Sequence, residues 1–132
     1  MTGERILVVD DHAINLKLVR IVLEEEGYEV RTAADAESVL SILEDFAARL
    51  ILMDLQLPGM NGLELTRQLR EMARFDQVWI VALSAYALKG DAEKALAAGC
   101  DGYLTKPVDV ITLPAQVAAY LERERAPRDV DR

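Results

Sequence analysis

Five side chains able to do chemistry stand at the ends of short apolar runs. Asp10 and Asp11 follow Ile6-Leu7-Val8-Val9, and Asp54 follows Leu50-Ile51-Leu52-Met53. Ser84 ends the run Gln77 to Leu83, and Lys106 ends Tyr103-Leu104-Thr105. Each has a plain explanation by itself: a helix cap, a strand-ending turn, a surface charge. Together they describe a different chemistry. Three carboxylates drawn close repel one another and raise their own pKa values, which a hard divalent cation and an ammonium relieve. Magnesium suits such a set, because it takes near-octahedral oxygen ligands and keeps several waters, whereas calcium wants more protein ligands. Asp11, Asp54, a backbone carbonyl just after Asp54 and water relayed by Asp10 would serve it. A carboxylate beside that ion can attack phosphorus and form an aspartyl phosphate. The metal and the Lys106 ammonium would neutralise charge on the equatorial oxygens, and the Ser84 hydroxyl could donate to a third.

These residues need a scaffold that delivers strand ends to one place. Leu50 to Met53 is too short for a helix and lacks polar alternation, as a strand buried on both faces does, and Arg5 to Asp11 is a second apolar run, ending in carboxylates, that reads as the first strand. Tyr28 to Ala33 alternates, Gln77 to Leu83 is another apolar run, and Tyr103 to Lys106 reads as a short last strand closed by Pro107. Between them lie helical patterns. The first carries Ile14, Leu18, Ile21 and Val22 as its inward face and closes at Gly27, with Glu24, Glu25 and Glu26 left exposed. The second is expected over about Ala36 to Ala47, with Asp35 as N-cap. Pro58-Gly59 makes a turn, and Asn61-Gly62-Leu63-Glu64 reads as a capping box opening the third, with Leu65, Leu69 and Met72 inward. The fourth runs from about Leu88 to Ala98 and is capped by Gly99. The last holds Leu113, Val117, Tyr120 and Leu121 on one stripe, with Pro114 in its first turn and Thr112 as cap.

Five alternating strand and helix units imply an α/β fold: a doubly wound, five-stranded parallel sheet with helices on both faces. Right-handed crossovers and a switch point at the first strand favour the flavodoxin-like order 2-1-3-4-5. In such sheets the carboxyl ends of the strands lie on one edge, where ligands bind. Residues about 100 positions apart thus converge.

Composition sets bounds. The 132 residues fit one domain, expected over 1–123, with a polar tail over 124–132 that should fray. Lys and Arg number 15 against 23 Asp and Glu, a formal charge of -8, which disfavours direct nucleic-acid binding. The longest apolar run falls far short of the roughly 18 residues that cross a bilayer, so no membrane partner is expected. Nothing at the N-terminus resembles a signal peptide, and the chain is expected in the cytoplasm. Met1 just before the first strand favours a complete protein. The lone Cys100 is expected to be a small buried residue, Trp79 core, and His12 an ordinary surface residue.

The segments Val8-Val9-Asp10-Asp11, Met53-Asp54-Leu55-Gln56-Leu57-Pro58-Gly59-Met60-Asn61-Gly62, Leu83-Ser84-Ala85 and Gly102-Tyr103-Leu104-Thr105-Lys106-Pro107 resemble the receiver domain of bacterial two-component response regulators. The resemblance runs from about Arg5 to Glu122 and looks most like stand-alone single-domain receivers and the receivers of hybrid kinases. It implies Asp54 as phosphoacceptor, Asp10 and Asp11 as the acidic magnesium pair, and a metal-binding main-chain carbonyl at Gln56. It implies Ser84 as the switch hydroxyl, Lys106 as the phosphate-contacting lysine, Tyr103 as the switch aromatic, and a cis bond before Pro107. Ser84 stands where threonine is commoner, and Gln56 and Tyr86 occupy variable positions bordering the site, which bear on the lifetime of the phosphorylated state.

The resemblance implies a phosphorelay switch, not a turnover enzyme. It would be phosphorylated by a histidine kinase or histidine phosphotransfer protein, catalyse its own phosphorylation and slow hydrolysis, and signal by docking on a downstream protein. A magnesium-dependent phosphohydrolase with an aspartyl nucleophile is the alternative enzyme class. It places a second Asp two residues after the nucleophile, where this chain has Gln56, and its cap domain does not fit in 132 residues. A docking-only pseudo-receiver would lack part of the acid, hydroxyl and lysine set, and a receiver fragment of a hybrid kinase is the remaining alternative.

Overall fold

A computed structural model describes residues 3–85 and 90–123. Five strands, β1 (Arg5–Val9), β2 (Glu29–Ala33), β3 (Leu50–Asp54), β4 (Trp79–Ser84) and β5 (Gly102–Thr105), alternate with five helices. These are α1 (Ala13–Glu25), α2 (Ala36–Leu43), α3 (Gly62–Arg70), α4 (Asp91–Ala98) and α5 (Leu113–Glu122), with a 3-10 turn at Ala73–Phe75. The strands form one sheet in the order β2-β1-β3-β4-β5, all pairs parallel. The expected doubly wound fold is the observed one.

The central strands lack polar alternation because both faces are covered. Ile6, Val8, Leu50, Leu52, Val81 and Leu83 pack against Val19 and Leu23 of α1 and Leu113 and Val117 of α5. Their alternates Leu7, Val9, Ile51, Met53, Ile80 and Ala82 pack against α2, α3 and α4. Trp79 is core, as expected, with its ring 5.7 Å from that of Tyr120. Cys100 is buried, and burial pushes its thiol pKa up to about 11, so it behaves as a small apolar residue.

Local signals set most boundaries. Asp35 accepts from the Ser38 amide at 2.8 Å and Asn61 from that of Glu64 at 2.8 Å, capping α2 and α3. Only half of the capping box forms, since the Glu64 carboxylate lies 3.4 Å from Arg67. Gly27 and Gly99 end α1 and α4 with positive φ, and Glu24 to Glu26 are exposed.

Several expectations need correction. The inward face of α1 is Leu16, Val19 and Leu23, whereas Ile14, Leu18 and Ile21 are exposed. This helix carries two apolar stripes, and periodicity alone does not say which one the sheet covers. Helix α2 stops at Leu43, so Ala47 is exposed while Phe46 and Ala48 turn inward. Thr112 precedes α5 but does not cap it by its side chain; its hydroxyl donates to the Asp109 carbonyl at 3.3 Å. Leu88 lies outside the described residues, as does the tail 124–132.

One buried network was not foreseen. The Arg70 guanidinium on α3 donates to the Gly99 carbonyl at 2.9 Å, the Phe75 carbonyl at 2.7 Å and Asp101 Oδ2 at 2.8 Å. Asp101 Oδ2 also accepts from the Ile80 amide at 2.9 Å, tying α3 and the α4–β5 loop to β4. Removing one partner of such a pair leaves the other charge largely shielded from water and uncompensated. Arg70→Ala is therefore expected to lower the unfolding free energy by about 3 kcal/mol, measured by urea denaturation.

Candidate functional site

The parallel sheet brings the foreseen residues to its carboxyl edge. Asp54 is the last residue of β3, Ser84 the last of β4, Asp10 follows β1 and Lys106 follows β5. In register, Val9 lies beside Met53, Asp54 beside Leu83 and Ser84 beside Thr105, so four strands end together. Gly62 is required here by contact rather than by a turn: a Cβ at this position would fall on the Asp54 carbonyl oxygen. Its amide donates to the Leu55 carbonyl at 2.9 Å, which holds the start of α3 against the end of β3.

Asp54 is 1 % exposed and Asp10 3 %. Lys106 joins them, its Nζ 2.8 Å from Asp54 Oδ2 and 3.4 Å from Asp10 Oδ2. The other Asp54 oxygen accepts from the Gln56 amide at 2.9 Å. Asp10 Oδ1 accepts from the His12 amide at 2.9 Å. Asp11 is more open, as a metal-entry side must be, with its Oδ1 3.0 Å from His12 Nδ1. Ser84 is buried, and Tyr103, half-buried on β5, pairs with Ala82 two residues before it. Parallel partners and alternate residues share a face, so Ser84 and Tyr103 lie on the same side of the sheet. The Lys106–Pro107 bond is cis.

Burial and charge work against each other in this pocket. Burial is the largest influence on Asp54 and lifts its pKa; Lys106 and the Gln56 amide oppose it without prevailing, and Asp10 adds to the rise. Burial also pushes Asp10 up, but hydrogen bonds from His12 and the nearby Lys106 ammonium outweigh it and hold the carboxyl below its usual range. Lys106 is lowered by burial and raised more by Asp54 and Asp10, so it stays charged. One positive charge faces two buried carboxylates and a third at the rim, leaving negative charge for a cation to take up.

The donor set fits one. One ligand atom each from Asp10, Asp11, His12 and Asp54 lies within 4.8 Å of the others. An octahedron of about 2.1 Å radius has edges of about 3.0 Å and diagonals of about 4.2 Å, so such a cluster closes around a small ion with slight adjustment. His12 is exposed, as expected, and its ring nitrogen also falls in this group.

A parallel doubly wound sheet with a buried carboxylate, a paired lysine and a metal-competent acid cluster at the switch point defines a phosphoryl-accepting switch. Residues 6–118 match the response regulator receiver domain, and the chain belongs to that family. It is 36% identical over 117 residues to the polar-differentiation response regulator DivK of Brucella ovis, covering 88% of this chain and 94% of that one. Among solved structures it resembles chemotaxis response regulator CheY4 of Vibrio cholerae, with a TM-score of 0.84 at 28% identity, over 89% of this chain and 98% of that one. It also resembles a chain in the co-crystal structure of the Saccharomyces cerevisiae histidine phosphotransfer protein Ypd1 with the receiver domain of its downstream response regulator Ssk1. That match has a TM-score of 0.81 and 31% identity, over 89% of this chain and 88% of that chain.

Proposed function

We propose that Asp54 is the phosphoacceptor of a magnesium-dependent switch charged by a histidine kinase or histidine phosphotransfer protein. The observation that carries this is the Lys106 ammonium 2.8 Å from Asp54 at the sheet's carboxyl edge. Magnesium would be held by Asp11, Asp54 and the Gln56 carbonyl, with Asp10 acting through water, and would neutralise charge on the transferring phosphoryl group. Asp54 supplies the attacking oxygen. Lys106 pairs with a phosphoryl oxygen as the bond to the donor breaks, and the Ser84 hydroxyl donates to another. The same arrangement supports self-catalysed phosphorylation and slow hydrolysis rather than turnover of a substrate. Among the described residues no helix is long and apolar enough to cross a membrane. The domain spans 1–123.

The stripe that the sheet leaves uncovered on α1 supplies the docking surface. Ile14, Leu18 and Ile21 recur at helical spacing, and Leu18 lines a cavity of about 80 Å³ together with Asp10 and Lys106. A phosphohistidine presented on a helix of the partner reaches Asp54 while that helix covers this stripe. Ile14→Ala, at the stripe residue that does not line this cavity, is expected to slow transfer from the preferred phosphohistidine donor by about tenfold, the scale of an interface hot spot, without slowing labelling by acetyl phosphate. A profile of the source organism's histidine kinases at short times identifies that donor. Equal slowing with both donors would show a damaged pocket instead of a docking face.

Output follows from Ser84 moving toward the phosphoryl group and Tyr103 turning inward behind it, which remodels the face of α4, β5 and α5 for a downstream protein. Moving such an equilibrium from 1:99 to 99:1 takes about 5.5 kcal/mol of differential interaction. A dianion held by magnesium, Lys106 and a hydroxyl supplies charge-assisted bonds for much of it. Backbone NMR with magnesium and beryllofluoride is expected to shift Ala82 to Ser84, Tyr103 and α4. Changes confined to the loops around Asp54 would refute the relay.

A further inference from the structure

His12 sits where a helix cap belongs yet caps nothing. It is the N-cap of α1, and its side chain makes no bond to the helix amides. The ring turns to the pocket instead, its Nδ1 3.1 Å from Asp10 Oδ1 and 3.0 Å from Asp11 Oδ1. Those separations match the edge of about 3.0 Å expected between neighbouring ligands of a small octahedral ion. With Asp54 they complete a cluster of three carboxylates and one imidazole, all within 4.8 Å.

We infer that His12 is a protein ligand of the divalent ion in this pocket and tilts the pocket from magnesium toward late first-row ions such as zinc. Magnesium prefers oxygen and gains little from an imidazole, whereas Zn2+, Ni2+ and Cu2+ gain from one, and affinity rises along the series toward them. The ring is two-thirds exposed, its side chain at 67%, so the pocket is open to an entering ion on this side. The inference rests on the reading of the pocket as a metal site, but it adds a ligand that reading does not use.

The test compares untagged, metal-free wild type with His12→Asn, a substitution that keeps a good cap residue at the start of α1. Calorimetric titration with ZnCl2 is expected to show affinity weakened by about tenfold or more in the variant, the scale on which ligand surroundings act. Titration with MgCl2 should give affinities within about twofold of each other, because magnesium does not use the imidazole. Pulsed EPR of the Cu2+ form, one of the ions expected to use the imidazole, gives an independent readout. The chain has one histidine, so a directly bound imidazole nitrogen seen in wild type and lost in the variant can come only from His12. Absence of that nitrogen coupling in wild type, or zinc affinity falling no further than magnesium affinity, would overturn the inference while leaving the magnesium site intact. No magnesium binding by either protein would overturn the metal site itself, and this inference with it.

Discussion

Asp54→Asn is expected to take up no phosphoryl group from acetyl phosphate and magnesium, while wild type gains one that survives acid and is lost in base. The amide keeps the shape of the carboxylate but has no anionic oxygen to attack phosphorus. Intact-mass spectrometry decides it, and undiminished labelling of the variant would move the acceptor elsewhere. The same substitution is expected to raise stability. Burial lifts the Asp54 pKa in the folded protein above its value in the unfolded chain. The folded state therefore holds that proton more tightly, and acid favours folding at this residue. That contribution is complete below the unfolded pKa and is lost as pH rises through the folded pKa. At neutral pH the wild type carries the cost of an ionised, buried Asp54 and the variant does not. The variant should melt higher near neutrality, and the gap should close as pH falls into the carboxylate range. A variant that is both unreactive and less stable at neutral pH would contradict the electrostatic account of the pocket.

The sequence made the sheet and most of the pocket legible for one physical reason. A parallel sheet with both faces covered forces unbroken apolar runs, and each run ends where its chemistry begins. Leu50 to Asp54 and Arg5 to Asp11 could be read this way because burial on two faces removes every polar alternative. Helix α1 shows the limit. Ile14, Leu18 and Ile21 make as good a stripe as Leu16, Val19 and Leu23, and the choice between them belongs to the packing of α1 on β1, not to the helix. The exposed stripe was thus taken for core, although one of its members, Leu18, lines a cavity with Asp10 and Lys106. His12 is exposed, as expected, but only the backbone turn after β1 decides that its ring nitrogen also lies 3.1 Å and 3.0 Å from the Asp10 and Asp11 carboxylates. The Arg70–Asp101 network joins residues 31 positions apart across α4, and no local pattern marks either partner.

Lys106→Met is expected to slow phosphorylation by acetyl phosphate by about 10²–10³-fold, the range in which removing one preorganised donor to a charged transition state falls. Methionine fills similar space without the ammonium, so the change isolates charge from packing. Two further readouts separate this from loss of the metal. Removing a cation from a pocket of three carboxylates reduces repulsion toward an incoming ion, so magnesium should bind the variant as tightly as wild type or more tightly. The pH profile gives the second. Asp54 and Asp10 raise the Lys106 pKa above its ordinary value, so the lysine stays protonated well into the alkaline range. The wild-type rate should therefore show no decline from Lys106 losing its proton across neutral pH. The slowing in Lys106→Met should be of constant size over that window. A variant labelled within a few-fold of the wild-type rate would remove Lys106 from the phosphoryl site. It would leave the 2.8 Å contact with Asp54 as a brace for the resting pocket alone.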